Sequence, residues 1–208
     1  MTWEIWAAYV VATTILCTIP GPTVLLVVGY ALSSGRRSAR WTVPGVILGD
    51  ALAMAASLTG LGALLAASAD AFTVLKWVGA AYLVYLGVRM WRAEPSIGEI
   101  EPGGAARARW SLTAHAFTVT ALNPKSIAFF IAFLPQFISP AAPVTQQLIV
   151  LGTTFLAVAA VTAVAFAFLA GGMRARLRQP RLLRAINRTG GGLLIGAGIM
   201  TAALRRSS

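Results

Sequence analysis

The sequence predicts an all-α, polytopic membrane helix bundle, and three observations carry that prediction: composition, the spacing of apolar runs, and the placement of basic residues. Hydrophobic residues make up 58% of the 208 and charged residues 11%, with a mean hydropathy of +0.77. A chain of this length cannot hide so much apolar surface in one soluble core, so a bilayer is the expected solvent. A crossing helix needs roughly 20 mostly apolar residues. The chain offers such stretches from Trp3 to Leu32, Trp41 to Ala67, Phe72 to Trp91, Leu112 to Ile138, Gln146 to Met173 and Thr189 to Leu204. A single transmembrane domain over residues 1–208 is expected, with about six transmembrane helices.

The net charge of +11 does not point to nucleic acid, because the basic residues sit in short loops and not on a face with stacking aromatics. Arg36, Arg37 and Arg40 follow the first stretch. Arg89, Arg92, Arg107 and Arg109 surround the end of the third, and Arg174, Arg176, Arg178, Arg181, Arg184 and Arg188 precede the sixth. The alternate loops hold only Asp70 and Lys76, or, from Ser139 to Thr145, no charge. The positive-inside rule puts the arginine-rich loops in the cytoplasm and both termini outside, although Arg205 and Arg206 oppose this. The tryptophans fit the same boundaries as interfacial anchors: Trp3, Trp6 and Trp77 at outer edges, Trp41, Trp91 and Trp110 at inner ones. Thr2, Trp3 and Glu4 at the start give no basic region, so the first helix is expected to be retained and not cleaved as a signal peptide.

Residues 93–109 have linker composition, with Pro95, Pro102, Gly98, Gly103 and Gly104 among three glutamates. They divide the chain into two halves of three stretches each. Placing Pro22 on Pro124 also puts Thr18 on Thr120, and Gly79, Leu83 and Gly87 match Gly190, Leu194 and Gly198 at a slightly larger offset. Because three is odd, such halves would be inverted relative to each other, a 3+3 architecture common in secondary transporters.

Pro20, Gly21 and Pro22 interrupt the first apolar run. Each proline removes a backbone donor and collides with the carbonyl four residues back, here those of Leu16 and Thr18. Asn123, Pro124 and Lys125 interrupt the fourth run in the corresponding place, with Thr120 at the orphaned carbonyl. Irregular backbone at membrane depth is tolerated only where protein or a water-filled cavity satisfies it, so proline-broken helices 1 and 4 mark a candidate site. Two charges lie at depth in these runs. Asp50 is nine residues beyond Trp41, roughly 13 Å at about 1.5 Å per residue, and Lys125 sits in the second break. Burying either costs several kcal/mol. They can pair with each other to hold two helices in register, or face the two ends of a zwitterion, Asp50 taking the ammonium or a proton and Lys125 the carboxylate. Arg89, close to Trp91, reads as a snorkelling anchor.

Other classes fit less well. Cys17 is the only cysteine and His115 the only histidine, too few soft ligands for a metal site, and no disulfide can form within the chain. Cys17 is read as packing. No cofactor is implied, and the runs hold no nucleophile with a histidine partner at depth and no paired aspartates, so an enzyme is not expected. A non-transporting scaffold or a lipid-handling protein stays open as the alternative, since glycine-rich faces such as Gly190 to Gly198 suit helix packing or a homo-oligomer.

Pro20 to Pro22 followed by Val24, Leu25 and Leu26, Gly45 to Asp50 (GVILGD), Leu75 to Gly87 (LKWVGAAYLVYLG), and Asn123 to Lys125 with Phe129, Phe130, Leu134, Pro135, Gln136 and Phe137 together resemble the signature stretches of the LysE/RhtB exporters. Thr23 departs from the asparagine many members carry after the PGP motif. The resemblance implies a multi-pass protein of a bacterial plasma membrane that exports amino acids or related small polar metabolites, by exchange with protons as an antiporter. It further implies that Asp50 and the two proline motifs are functional positions. The candidate substrate-binding or coupling residues are therefore Asp50, Lys125, Asn123, Pro20, Gly21, Pro22, Thr23, Pro124, Thr18 and Thr120. A re-entrant first segment, giving five crossings, is the alternative to six.

Overall fold

The computed structural model describes residues 1–67, 69–93, 109–139, 142–177 and 180–203, and every regular element among them is helical. Helix α1 (Trp3–Thr18) starts on Thr2, whose hydroxyl accepts the Ile5 N–H at 3.5 Å, and stops where Pro20 prevents continuation. Helix α2 (Pro22–Ser34) opens with proline in its first turn, where a missing N–H is harmless. It closes at Gly35, whose φ of 78° lies in the left-handed region that favours glycine. The two helices meet at 56°. A tight turn over Arg36–Ser38 leads into α3 (Ala39–Ala67), and α4 (Ala69–Arg92) ends the first half.

The second half repeats this order. Helices α5 (Arg109–Ala121) and α6 (Pro124–Ala128) are separated by the Asn123–Pro124 break, and α6 runs on through a π turn (Phe129–Phe133) and a 3-10 turn (Leu134–Phe137). The bend between α5 and that continuation is 41°. Helices α7 (Val144–Leu177) and α8 (Pro180–Ala203) follow. Asp70 and Lys76 thus belong to α4 and not to a loop. The sixth helix starts at Pro180 and not at Thr189, a correction with a simple cause. Arg181, Arg184 and Arg188 share one exposed helical face, arginine is a good helix former, and hydropathy registers only the apolar remainder. The linker expected over 93–109 lies, between Ala93 and Arg109, outside the described residues, as do Arg178, Arg205 and Arg206.

Among the described residues two helices are long and apolar enough to cross a membrane alone, over Arg36–Gly60 and Val144–Ala170, and four spans result if each bent pair counts as one. Helices α4 and α8, 24 residues each, carry more charge and pack against each other. Their contact is reciprocal. A side chain at Gly87 would meet the Gly191 carbonyl and Ile195, and one at Gly198 would meet the Ala80 carbonyl and Val84. Passing from the first contact to the second shifts one partner forward and the other back by the same number of positions. That makes the helices antiparallel, and because Gly87, Val84 and Ala80 stand to Gly198, Ile195 and Gly191 at one constant offset, the two contacts are related by a local two-fold axis. The suspected match of Gly87 with Gly198 therefore has a structural counterpart.

Helices α3 and α5 instead run parallel. Gly45 lies against Thr113 and Ala116, and Gly49 against Phe117 and Thr120, so close that a Cβ at either glycine would meet the backbone of α5 at no more than 3.0 Å. The GVILGD stretch is therefore a small-xxx-small packing face. At its start, Thr113 donates to the Trp41 carbonyl at 2.8 Å and the Arg109 guanidinium lies 5.8 Å from the Trp41 ring centre. Trp3, Trp41, Trp77, Trp91 and Trp110 are all exposed, as interfacial anchors must be. Inside, the π turn gathers an aromatic core in which Phe129 stands 5.3 Å from Phe133, 5.9 Å from Phe155 and 6.2 Å from Tyr9.

Candidate functional site

The two proline breaks come together in the middle of this bundle. Pro20 removes the donor that Leu16 O would have received, and the chain turning through Gly21 leaves Ile19 O without a helical partner. Lys125 fills both gaps: its ammonium donates to Leu16 O and to Ile19 O, each at 2.8 Å. A cation at the carboxyl end of α1 also suits that helix's dipole. Gly21 lies directly beside it, where a Cβ would stand 3.4 Å from Nζ, in ordinary van der Waals contact.

The second break satisfies itself. Asn123 Oδ1 accepts the Lys125 N–H at 3.1 Å as a helix N-cap, and the Asn123 N–H reaches Thr120 O at 3.0 Å, the carbonyl Pro124 would have orphaned. The remaining groups tie the breaks to each other: Asn123 Nδ2 donates to Thr23 Oγ1 at 3.2 Å, and Thr23 and Thr120 hydroxyls are 3.2 Å apart.

Beside this junction lies a small cavity lined from both halves. Helix α1 contributes Leu16 and Cys17, α2 Thr23, Val24 and Val27, and α3 Val46 and Asp50; from the second half come Asn123, Lys125 and Ser126. The opposite wall is α7, with Phe155, Ala159, Thr162, Ala163 and Phe166. Asp50 is held there by its neighbour Gly49, whose close approach to α5 fixes the register of α3 against the second break. Asp50 is 4% exposed, and its Oδ1 is one of four buried side-chain polar atoms without a hydrogen-bond partner among the described residues. No ion pair joins it to Lys125, whose ammonium is turned to the carbonyls of α1. A buried carboxylate oxygen left open into a cavity is costly, and a ligand cation or a proton would relieve it.

Of the residues singled out in the sequence, Asp50, Lys125, Asn123 and Thr23 line the cavity, while Pro20, Gly21, Pro22 and Pro124 shape the breaks beside it. Thr120 stands behind Thr23. Thr18 is not brought in: it is exposed and returns its hydroxyl to Thr14 O of its own helix at 2.7 Å. Sequence reasoning missed Ser126, the lining role of Cys17 and the whole α7 wall. Ser126 follows the break directly and could have been found; nothing in α7's uniform apolar run marks which of its faces meets a site.

A cavity between two broken helices, with Asp50, Lys125, Asn123, Thr23 and Ser126 set in an otherwise apolar lining, is an arrangement common in secondary transporters. The chain belongs to the LysE type translocator family, whose profile matches residues 14–204. It is 34% identical over 207 residues to a homoserine/homoserine lactone efflux protein of Salmonella typhi, covering 100% of both chains. It is 30% identical over 152 residues to a leucine efflux protein of an Enterobacter species, 73% of this chain and 69% of that protein. An uncharacterized membrane protein of Vibrio cholerae is 32% identical over 202 residues, 97% of this chain and 98% of its own. No solved structure matches.

Proposed function

We propose that this protein is a secondary active exporter of amino acids or closely related small polar metabolites, working by exchange with protons. The observation that carries the reading is the Asp50 carboxylate in a cavity built between the two breaks, its Oδ1 buried without a hydrogen-bond partner among the described residues. One carboxylate can be neutralised by the ammonium of a substrate or by a proton, and by only one at a time. Competition for that single group is all that antiport requires: a proton arriving from outside displaces the ammonium, and its release inside frees the carboxylate for the next substrate. Thr23, Asn123 and Ser126 supply hydrogen bonds to the polar end of the substrate, and Val24, Val27, Phe155 and Phe166 an apolar surface for the rest.

Parallel α3 and α5 and antiparallel α4 and α8 are what alternating crossings produce when the second bent pair and each long helix span once, and counting the first bent pair as a crossing too gives six. The membrane is that of a bacterial cell, as in the named relatives.

The test is efflux of a panel of labelled amino acids from cells overproducing the protein, with and without a proton uncoupler, beside Asp50→Asn. The relatives named for homoserine, homoserine lactone and leucine efflux set the first compounds to try. Expected is efflux of one class, suppressed by the uncoupler and reduced at least about tenfold in the variant, the scale of a lost charged contact. Normal, still proton-driven efflux by Asp50→Asn would remove that residue from the mechanism.

A further inference from the structure

The first break has the makings of a monovalent-cation site. Two backbone carbonyls freed by Pro20 and by the turn at Gly21 converge on one point, and that point is held by the ammonium of Lys125 at 2.8 Å from each. Hard oxygen ligands from unwound backbone, with a carboxylate in the same cavity, are the donor set with which broken-helix transporters hold Na⁺. Gly21 keeps the space beside the ammonium free of any side chain. The cation here is covalently tethered and comes from the other half of the molecule.

We propose that the first break is a cation site of the Na⁺ or alkylammonium class that Lys125 occupies permanently, so that transport is independent of external Na⁺. The side chain does the work of a bound coupling ion: it neutralises the carbonyl end of α1 and locks the first break to the second. A site filled by a tethered cation cannot exchange it for one from solution, which leaves the Asp50 carboxylate as the only exchangeable cation site in the cavity. This rests on the transport reading above but concerns a different group, and it makes a demand that reading does not: emptied of its lysine, the site should accept a free cation.

Two variants separate charge from hydrogen bonding. Lys125→Ala empties the site, whereas Lys125→Gln removes the charge and keeps amide donors for the two carbonyls, with a reach one bond shorter. The wild type and both variants are reconstituted in vesicles, and efflux is measured with choline, Na⁺ or methylammonium as the external cation. In parallel, the thermal midpoint of each purified protein is followed as Na⁺ or methylammonium is added.

The expected result is Na⁺-independent efflux by the wild type. Lys125→Ala should lose at least tenfold and recover severalfold in methylammonium or Na⁺, with a cation-dependent rise in thermal midpoint that the wild type lacks. Lys125→Gln should be slow and unresponsive, its site still filled. Wild-type efflux that requires Na⁺ overturns the proposal. So does a Lys125→Gln protein with normal efflux, since capping alone would then suffice, and so does a Lys125→Ala protein whose stability and flux ignore every cation. If the wild type moves no substrate at all, the transport reading fails, and the thermal measurements still decide the cation site.

Discussion

The two proline breaks occupy corresponding places in the two halves, yet they are satisfied in opposite ways. The second is autonomous: Asn123 caps the helix that begins at Pro124, and its own N–H closes onto Thr120 O. The first depends on its counterpart, because the donor for Leu16 O and Ile19 O is Lys125, more than a hundred residues away in sequence. The threonines that precede the prolines diverge with them. Thr18 is exposed and bonds within its own helix, whereas Thr120 is 1% exposed and meets Thr23 across the junction. A repeated local motif therefore does not imply a repeated role. One half supplies a self-sufficient bend, and the other a bend whose freed carbonyls find their donor only when the halves are joined.

That asymmetry can be broken most sharply at Lys125. In buffer without a replacement cation, Lys125→Ala leaves two carbonyls without donors. The expected loss is about 3 to 6 kcal/mol of stability, two hydrogen bonds to a charged group at about 1.5 to 3 kcal/mol each, visible as a lower thermal midpoint in detergent; an unchanged midpoint would mean the first break is as autonomous as the second. Next comes Gly49→Ala. Its Cβ would stand 2.7 Å from the Phe117 carbonyl and 2.8 Å from Thr120 Cβ, an overpacking that costs about 1 to 3 kcal/mol and shifts Asp50, so transport should fall together with stability. Asn123→Ala should cost about 1 kcal/mol for the lost cap. Asn123→Ser should keep a capping oxygen and lose the amide donation to Thr23, and comparing the two on flux sharpens how much of the junction is held by that bridge. Smallest is the contrast between equivalent threonines: Thr18→Val should change stability by less than about 0.5 kcal/mol, and Thr120→Val measurably more.

Much of this was legible in the sequence, for reasons that also mark where reading stops. Proline chemistry is local, so both breaks and the orphaned carbonyl of Leu16 follow from Pro20 and Pro124 alone. Charge inside an apolar run is equally local, which exposes Asp50 and Lys125. What a local reading does not supply is the partner. The donor for Leu16 O, the parallel pairing of α3 with α5 through Gly45 and Gly49, and the α7 wall around Phe155 and Phe166 are decided by packing between distant segments, and in an all-apolar span no periodic contrast shows which face turns inward. The early start of α8 was hidden for the reverse reason. Its first turns are arginine-rich, and a search for apolar runs discards them although they are helical.

The dependence of the first break on Lys125 also has a consequence for biosynthesis. The bonded pairs are separated by 109 and 106 positions, so at about 5 to 20 residues per second the ribosome needs on the order of 5 to 20 seconds to deliver the lysine after α1 has emerged. For that interval the carbonyls of Leu16 and Ile19 must be kept wet or borrowed by the insertion machinery. The first helix pair thus enters the membrane unfinished, and the second half completes it.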